Sequence, residues 1–173
     1  METTRKINFS VFQQVVSLIN TAQRVQIVGI WGSGLTAKDL SYKLQKIGIM
    51  TLVEADLHVQ IAAALTLTPK DVQIVLSFTG RRKDMRIAAT VAKAQGATVI
   101  AITGSKVSPL AKIADYVLES ISDENEWRSS SISSRTAQNT LTDLIFLALM
   151  QQRKETAKPL ILNASMTINN LDD

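Results

Sequence analysis

The sequence predicts a single α/β domain of three layers, with a five-stranded parallel sheet covered by helices on both faces. Three observations predict it. Short apolar runs rich in β-branched residues alternate with stretches of helical period along the whole chain. The runs are apolar almost throughout, as expected of strands buried on both faces. Two of them, Val25-Gln26-Ile27-Val28 and Val72-Gln73-Ile74-Val75-Leu76, run into Gly29-Ile30-Trp31-Gly32-Ser33-Gly34 and Ser77-Phe78-Thr79-Gly80. In each case a turn of glycine and hydroxyl residues precedes a new helical pattern.

The elements follow in order. Phe9 to Asn20 has Val11, Phe12, Val15, Val16 and Ile19 at helical spacing. Val25–Ile30 is the first strand. Leu35–Ile47 is an amphipathic helix with Leu40, Leu44 and Ile47 on one face, and Gly48 stops it. Ile49–Val53 is the second strand, and Ala55–Leu67 the next helix, ending before Pro69. Val72–Leu76 is the third strand, followed by a helix over Asp84–Gln95 that Gly96 stops. Thr98–Ile102 is the fourth strand. Ser108-Pro109 opens a short helix, with proline at its favoured first position. Asp115–Leu118 is the fifth strand. A long helix runs from about Ser129 to Gln152, and beyond Arg153 the period fades. The expected organisation is an N-terminal helical segment over 1–22, a ligand-binding domain over 23–152 and a loosely held tail over 153–173.

Bulk properties narrow the class. A chain of 173 residues with 46% hydrophobic content can bury a sizeable core. It has no cysteine, which excludes disulfides and thiolate metal sites and fits a cytoplasmic setting. No apolar stretch approaches the ~20 residues of a membrane span, and the first residues lack the apolar centre of a signal peptide. The formal charge of +4 admits anionic ligands without arguing for nucleic acid. No cofactor, no metal site and no membrane partner are expected.

A strand, a Gly/Ser turn and a helix in succession hold phosphate, because backbone N–H groups at a helix N-terminus point at the anion. Two such turns at the carboxyl ends of parallel strands imply a phosphorylated small molecule. A dinucleotide fold is the obvious rival. Its turn would read G-x-G-x-x-G, whereas the first turn here reads G-x-x-G-x-G. Glu54 ends the second strand as a ribose-binding acid would, yet that reading leaves the second turn unexplained. Neither turn carries the glycine-lysine-serine/threonine of a P-loop.

Ser77-Phe78-Thr79-Gly80, Gly32-Ser33-Gly34, and Ala101-Ile102-Thr103-Gly104-Ser105 ahead of Ser108-Pro109-Leu110 resemble the sugar isomerase (SIS) domain over roughly Phe9 to Gln152. Ala37-Lys38-Asp39-Leu40-Ser41-Tyr42-Lys43-Leu44 with Lys46-Ile47-Gly48 is similar to the sensor domain of RpiR-type bacterial transcriptional regulators. Glu54-Ala55-Asp56-Leu57-His58-Val59-Gln60 resembles the repressors of that family that respond to N-acetylmuramate 6-phosphate. So, above all, does Glu126-Trp127-Arg128-Ser129-Ser130-Ser131-Ile132-Ser133-Ser134-Arg135-Thr136-Ala137-Gln138-Asn139.

The resemblance implies sugar-phosphate binding by Ser33, Ser77, Thr79 and Ser105, with Gly80 allowing close backbone approach. The plain alternative is that these hydroxyls cap helices. Where many SIS domains place a further hydroxyl, this chain has Arg82. Arg81, Arg82 and Lys83 begin a helix, the unfavourable end for cations. Either a bound anion compensates, with a guanidinium gripping phosphate through two hydrogen bonds, or the run is a solvated basic patch.

Glu54, Asp56 and His58, the one histidine of the chain, cluster after the second strand. As an enzyme's residues, Glu54 or His58 would move a proton near the substrate carbonyl. As a sensor's, they would bind sugar hydroxyls. Otherwise Asp56 caps a helix and His58 is packed or exposed. Arg128 and Arg135 flank the serine run, where either could pair with a lactyl carboxylate or form a structural salt bridge. Trp31 and Trp127 are candidates for stacking on a sugar ring or for packing.

The function these resemblances imply is effector sensing: binding a phosphorylated amino sugar and controlling genes of its catabolism, without a catalytic residue. Such domains form homo-oligomers, dimers or tetramers, and Phe9–Ile19 and Leu141–Met150 are plausible contact faces. Contact with DNA would require a helix-turn-helix module, for which the twenty or so residues ahead of the first strand are too few. The alternatives are a sugar-phosphate isomerase or etherase of the same fold, or a nucleotide-binding module.

Overall fold

Five strands hydrogen-bond into one all-parallel sheet in the order β2-β1-β3-β4-β5. They are β1 (Val25–Val28), β2 (Thr51–Leu52), β3 (Val72–Leu76), β4 (Thr98–Thr103) and β5 (Tyr116–Glu119). The helices are α1 (Glu2–Arg5), α2 (Phe9–Thr21), α3 (Trp31–Lys46), α4 (Leu57–Ala64), α5 (Lys83–Ala94), α6 (Ile132–Gln152) and α7 (Lys154–Asn169). This computed structural model describes residues 2–5, 7–122 and 131–170. Among the described residues no helix is long and apolar enough to cross a membrane.

The strand register explains the two cores. Val25, Ile27, Val72, Ile74, Leu76, Ile100 and Ile102 point to one face and pack under α2, α3 and α6, against residues such as Ile19, Leu40, Leu44, Leu141 and Ile145. Val28, Val75, Val99 and Ala101 point to the other, under α4 and α5. Ala88, Ala89 and Ala92 line that second core, and their small side chains let α5 lie close on the sheet. Each buried Ile or Leu is worth about 1.5–3 kcal/mol, which is why the strands are apolar on both sides.

Gln26 and Gln73 interrupt the apolar strands yet are buried, facing each other in register on the α4/α5 face. A hydrogen-bonded chain satisfies their donors. Gln73 Nε2 donates to Gln26 Oε1 at 2.8 Å and to the Ala88 carbonyl at 3.2 Å. Gln26 Nε2 donates in turn to the Gln60 carbonyl at 2.7 Å.

The chain steps from β1 to β2 in one direction and from β2 past β1 to β3 in the other. One crossover hand then requires the helices of opposite steps to lie on opposite faces. Accordingly α3 covers one face, and α4 and α5 the other.

Four elements depart from the sequence expectation. The helix after β1 begins at Trp31 rather than Leu35, so Gly32, Ser33 and Gly34 form its first turn. The second strand shrinks to Thr51–Leu52, because it pairs with β1 alone at the sheet edge. Ser108 to Ala114 forms successive turns rather than a helix, although Ser108 Oγ accepts from the Ala111 N–H at 3.2 Å as a cap would. The segment from Lys154 is helical, held at its start by buried Ala157 and exposed along most of its length.

The two expected contact faces split. Val15, Val16, Ile19, Leu141, Ile145 and Leu149 are buried in the chain's own core. Phe9 (72% exposed) and Leu147 (61%) instead line a surface groove with Ile7, Phe12 and Leu144.

Candidate functional site

The strand order reverses between β1 and β3, so their carboxyl ends lie side by side with α3 leaving on one face and α5 on the other. A cavity of about 150 Å³ opens there. The β1 turn supplies Trp31, Gly32 and Ser33, the β3 turn supplies Ser77 and Thr79, and Arg82 comes from the start of α5. Ser131 and Ser134 enter from the start of α6.

Three helix N-termini therefore converge on one small space. None of α3, α5 and α6 has a side-chain cap. Elsewhere Asn8 accepts from Ser10 and Val11 to cap α2, and Asp56 accepts from Val59 to cap α4. Uncapped first-turn amides are orphan donors carrying the positive end of the helix dipole. Their convergence suits a multiply charged anion.

Glycine makes the two turns possible. A Cβ on Gly29 would stand 2.8 Å from the Ser33 carbonyl oxygen, so the first turn of α3 could not fold back against the strand end. Gly80 has φ +59°, and a Cβ there would collide with Ser108 Oγ. Its carbonyl accepts from Leu110 at 3.0 Å, which ties the β3 turn to the segment after β4.

Trp31 and Ser131 are the two non-glycine residues with positive φ (51° and 54°) among the described residues. Both line this cavity. Such conformations cost about 1–3 kcal/mol each and gather at functional sites. The Trp31 ring, 77% exposed, lies over Arg82, whose guanidinium carbon is 4.4 Å from the ring centroid. Arg82 Nη2 donates to Asp84 Oδ2 at 2.6 Å, while its buried Nε makes no hydrogen bond. The hydrogen bond from Arg82 holds the Asp84 carboxyl below its ordinary range. Arg81 and Lys83 are exposed, so the basic run divides and Arg82 alone of the three lines the cavity.

A second cleft, of about 100 Å³, shares Ile30 and Trp31 with the first. Gly29, Gly34, Leu35, Lys38, Glu54 and Ala55 complete its lining. Neither Lys38 nor Glu54 has an ion-pair partner among the described residues.

The fold and this geometry agree with the family comparison, in which the SIS domain matches residues 18–148. The chain belongs to the SIS domain family. Solved structures similar to this SIS domain include the Vibrio vulnificus NanR protein complexed with ManNAc-6P, at TM-score 0.91 and 20% identity over 98% of this chain. The match spans 64% of that protein's length. The sugar isomerase domain of an RpiR transcription factor from Sphaerobacter thermophilus aligns at TM-score 0.84 and 25% identity, covering 95% of this chain and 90% of that one. A Methanococcus jannaschii protein, inferred to be a 3-hexulose-6-phosphate isomerase, aligns at TM-score 0.76 and 17% identity, covering 90% of this chain and 84% of its own. Regulators and isomerases thus share this SIS fold.

Within the SIS domain, Ser33, Ser77, Thr79 and Arg82 come together at the first cavity. The capping alternative for the hydroxyls finds no counterpart at α3 and α5, whose N-termini lack side-chain caps. Ser33 Oγ donates to Gln138 Oε1 at 3.1 Å, and Thr79 Oγ1 accepts from the Arg81 N–H at 3.4 Å. Gly80 packs on Ser108 behind the turn. Ser105 lies after β4, outside the cavity lining, where its Oγ accepts from the Val107 N–H at 3.4 Å.

Glu54 lines the second cleft, Asp56 caps α4, and His58 is exposed on α4 and lines neither space. Arg128 and Trp127 lie outside the described residues, and Arg135 is half-buried on α6 away from both linings. Sequence reasoning did not single out Ser131, Ser134 and Lys38 as site residues, although all three fall in stretches that carry the family resemblance.

Proposed function

We propose that this chain is the effector-sensing domain of a bacterial transcriptional regulator, and that its effector is a phosphorylated amino sugar, N-acetylmuramate 6-phosphate. The observation that carries the reading is the convergence of three uncapped helix N-termini and Arg82 on one cavity. Two strained residues, Trp31 and Ser131, at the same place add to it. With its phosphoryl group at the three helix N-termini, the sugar ring would extend past Trp31. NanR, similar in fold, is complexed with an N-acetylated hexosamine phosphate. The stretch Glu126 to Asn139 supports the muramic acid phosphate in particular, with Arg128 to pair with its lactyl carboxylate.

The reading includes a homo-oligomer, formed through the exposed apolar groove at Phe9 and Leu147. A helix-turn-helix domain outside this sequence would supply DNA contact. Ligand need only favour one oligomer arrangement by ~1–3 kcal/mol to regulate. A second reading, a sugar-phosphate isomerase or etherase, draws on Glu54, an unpaired carboxylate beside the ligand space that could serve as a base.

Thermal unfolding with a panel of sugar phosphates tests the proposal. N-acetylmuramate 6-phosphate at a hundred times its Kd should add about 2.7 kcal/mol, a rise of roughly 5–10 °C, and be recovered unchanged. Arg82→Met should remove the rise. Turnover of any panel member would replace the sensor reading with the enzyme. No rise with any phosphosugar would refute both.

A further inference from the structure

We infer that the cleft between Trp31 and Glu54 is the subsite that reads the acylamino group of the ligand. This rests on the phosphosugar reading of the neighbouring cavity. The cleft presents three features at once: the Lys38 ammonium, a donor alone; the Glu54 carboxylate, an acceptor alone; and an apolar wall formed by Ile30, Leu35 and Ala55. Leu35 and Lys38 stand three positions apart on α3, so they share one helix face. Lys38 and Glu54 make no ion pair with each other, and both are exposed to an incoming group.

An acylamino group is the complement. Its carbonyl accepts from Lys38, its N–H donates to Glu54, and its short alkyl end covers the apolar wall. The competing substituents each leave something unmet. A hydroxyl can donate to Glu54 and accept from Lys38 only where one oxygen reaches both, and in every case it leaves the wall bare. A free ammonium pairs with Glu54 but is repelled by Lys38, and a carboxylate meets the reverse. Of these substituents the neutral acylamino group alone engages both charges without repulsion and also covers the wall.

Size and position agree. The cleft, of about 100 Å³, has room for an acetyl group. Because Ile30 and Trp31 line both spaces, a single ligand can place its phosphate on one side of the indole and its acylamino group on the other. The floor is fixed, since Gln60 Nε2 donates to the carbonyls of both Gly29 (3.0 Å) and Glu54 (2.7 Å).

Calorimetric titration with N-acetylglucosamine 6-phosphate, glucosamine 6-phosphate and glucose 6-phosphate decides the matter. The unmutated chain should bind the acetylated compound at least tenfold more tightly than glucose 6-phosphate. Glu54→Leu should reduce that ratio by roughly tenfold, one charge-assisted hydrogen bond. Lys38→Met should shift preference toward glucosamine 6-phosphate, because the Glu54 carboxylate is then unopposed. Lys70→Met, at the amino end of β3, should leave the ratio unchanged. Binding of glucose 6-phosphate with no preference for the acetylated compound, or a ratio indifferent to both cleft variants, would overturn the subsite alone. Failure of all three compounds, and of N-acetylmuramate 6-phosphate titrated beside them, to bind would overturn the phosphosugar reading together with it.

Discussion

Gln60 Nε2 donates to the carbonyl of Gly29 at 3.0 Å, joining a helix on one face of the sheet to the end of β1 thirty-one positions earlier. The same nitrogen donates to the Glu54 carbonyl at 2.7 Å. One buried amide thus fixes the turn after β1 and the loop bearing Glu54 relative to each other. Gln60→Leu has nearly the right volume but leaves two carbonyls without their donor. Only the Gly29 bond is buried, and the substitution also removes Gln60 Oε1, which has no partner, so the loss should be about 1–3 kcal/mol. Urea unfolding measures it. Ligand affinity should fall as well, since both rims lose their common anchor. A variant as stable as the parent would show that the carbonyls find other donors.

Trp31 pairs a strained backbone with an exposed side chain. Its φ is +51° and its side chain leaves 77% of the residue in solvent, so the ring adds little to the core. Trp31→Gly should relieve about 1–2 kcal/mol of left-handed strain while losing a stack on Arg82 worth about 0.5–1 kcal/mol. Glycine's greater chain entropy offsets about 0.5–1 kcal/mol more, so stability should stay within about 1 kcal/mol of the parent. Phosphosugar affinity should drop several-fold, because Arg82 loses its platform and the two ligand spaces lose their shared wall. Thermal midpoint and calorimetry read the two effects separately. A clear fall in stability would mean that the strain is absent or that the indole anchors α3.

Which residues could be placed from sequence follows from how locally their positions are determined. The strands were legible because an apolar run between turn residues has few alternatives, and parallel pairing then brings Ser33, Ser77, Thr79 and Arg82 to one end of the sheet. The start of α3 was not, since Gly32-Ser33-Gly34 reads as loop, and only the positive φ of Trp31 lets the helix begin there. Glu54 and His58 looked like one cluster. Because α4 starts at Leu57, Glu54 stays in the loop beside the cleft while His58 turns to solvent. Gln60 was invisible, as a polar residue in a short helix reads as surface, whereas its side-chain nitrogen is taken up by the Gly29 and Glu54 carbonyls. Pro159 disguised α7, where it sits inside the helix despite its missing N–H.

Asp71 supplies the pH dependence. Its side chain is fully buried at the head of β3, where Arg24 donates through Nη2 at 2.6 Å and Nε at 3.2 Å. The Thr68 N–H and Oγ1 donate at 2.7 and 2.9 Å. Burial alone would raise its pKa, but the hydrogen bonds from Arg24 and Thr68 outweigh it and hold the carboxyl below its ordinary value of 3.8. A depressed folded value means that the unfolded chain takes up the proton first as acid is added. The pair's contribution is then complete above the unfolded value and fades as pH falls through it toward the lower folded one. Arg24→Met, which strands a buried carboxylate, should cost on the order of 3 kcal/mol at pH 7. The gap between the two proteins should be widest at neutral pH and narrow as pH falls. The narrowing begins where the unpaired buried Asp71 of the variant takes up its proton and continues until Asp71 of the parent does so below 3.8. Urea unfolding of both from pH 7 to 3 measures that gap, so titration of every other carboxylate cancels. A gap that persists undiminished at pH 3 would show that Arg24 acts through packing of its stem and not through the charge on Asp71.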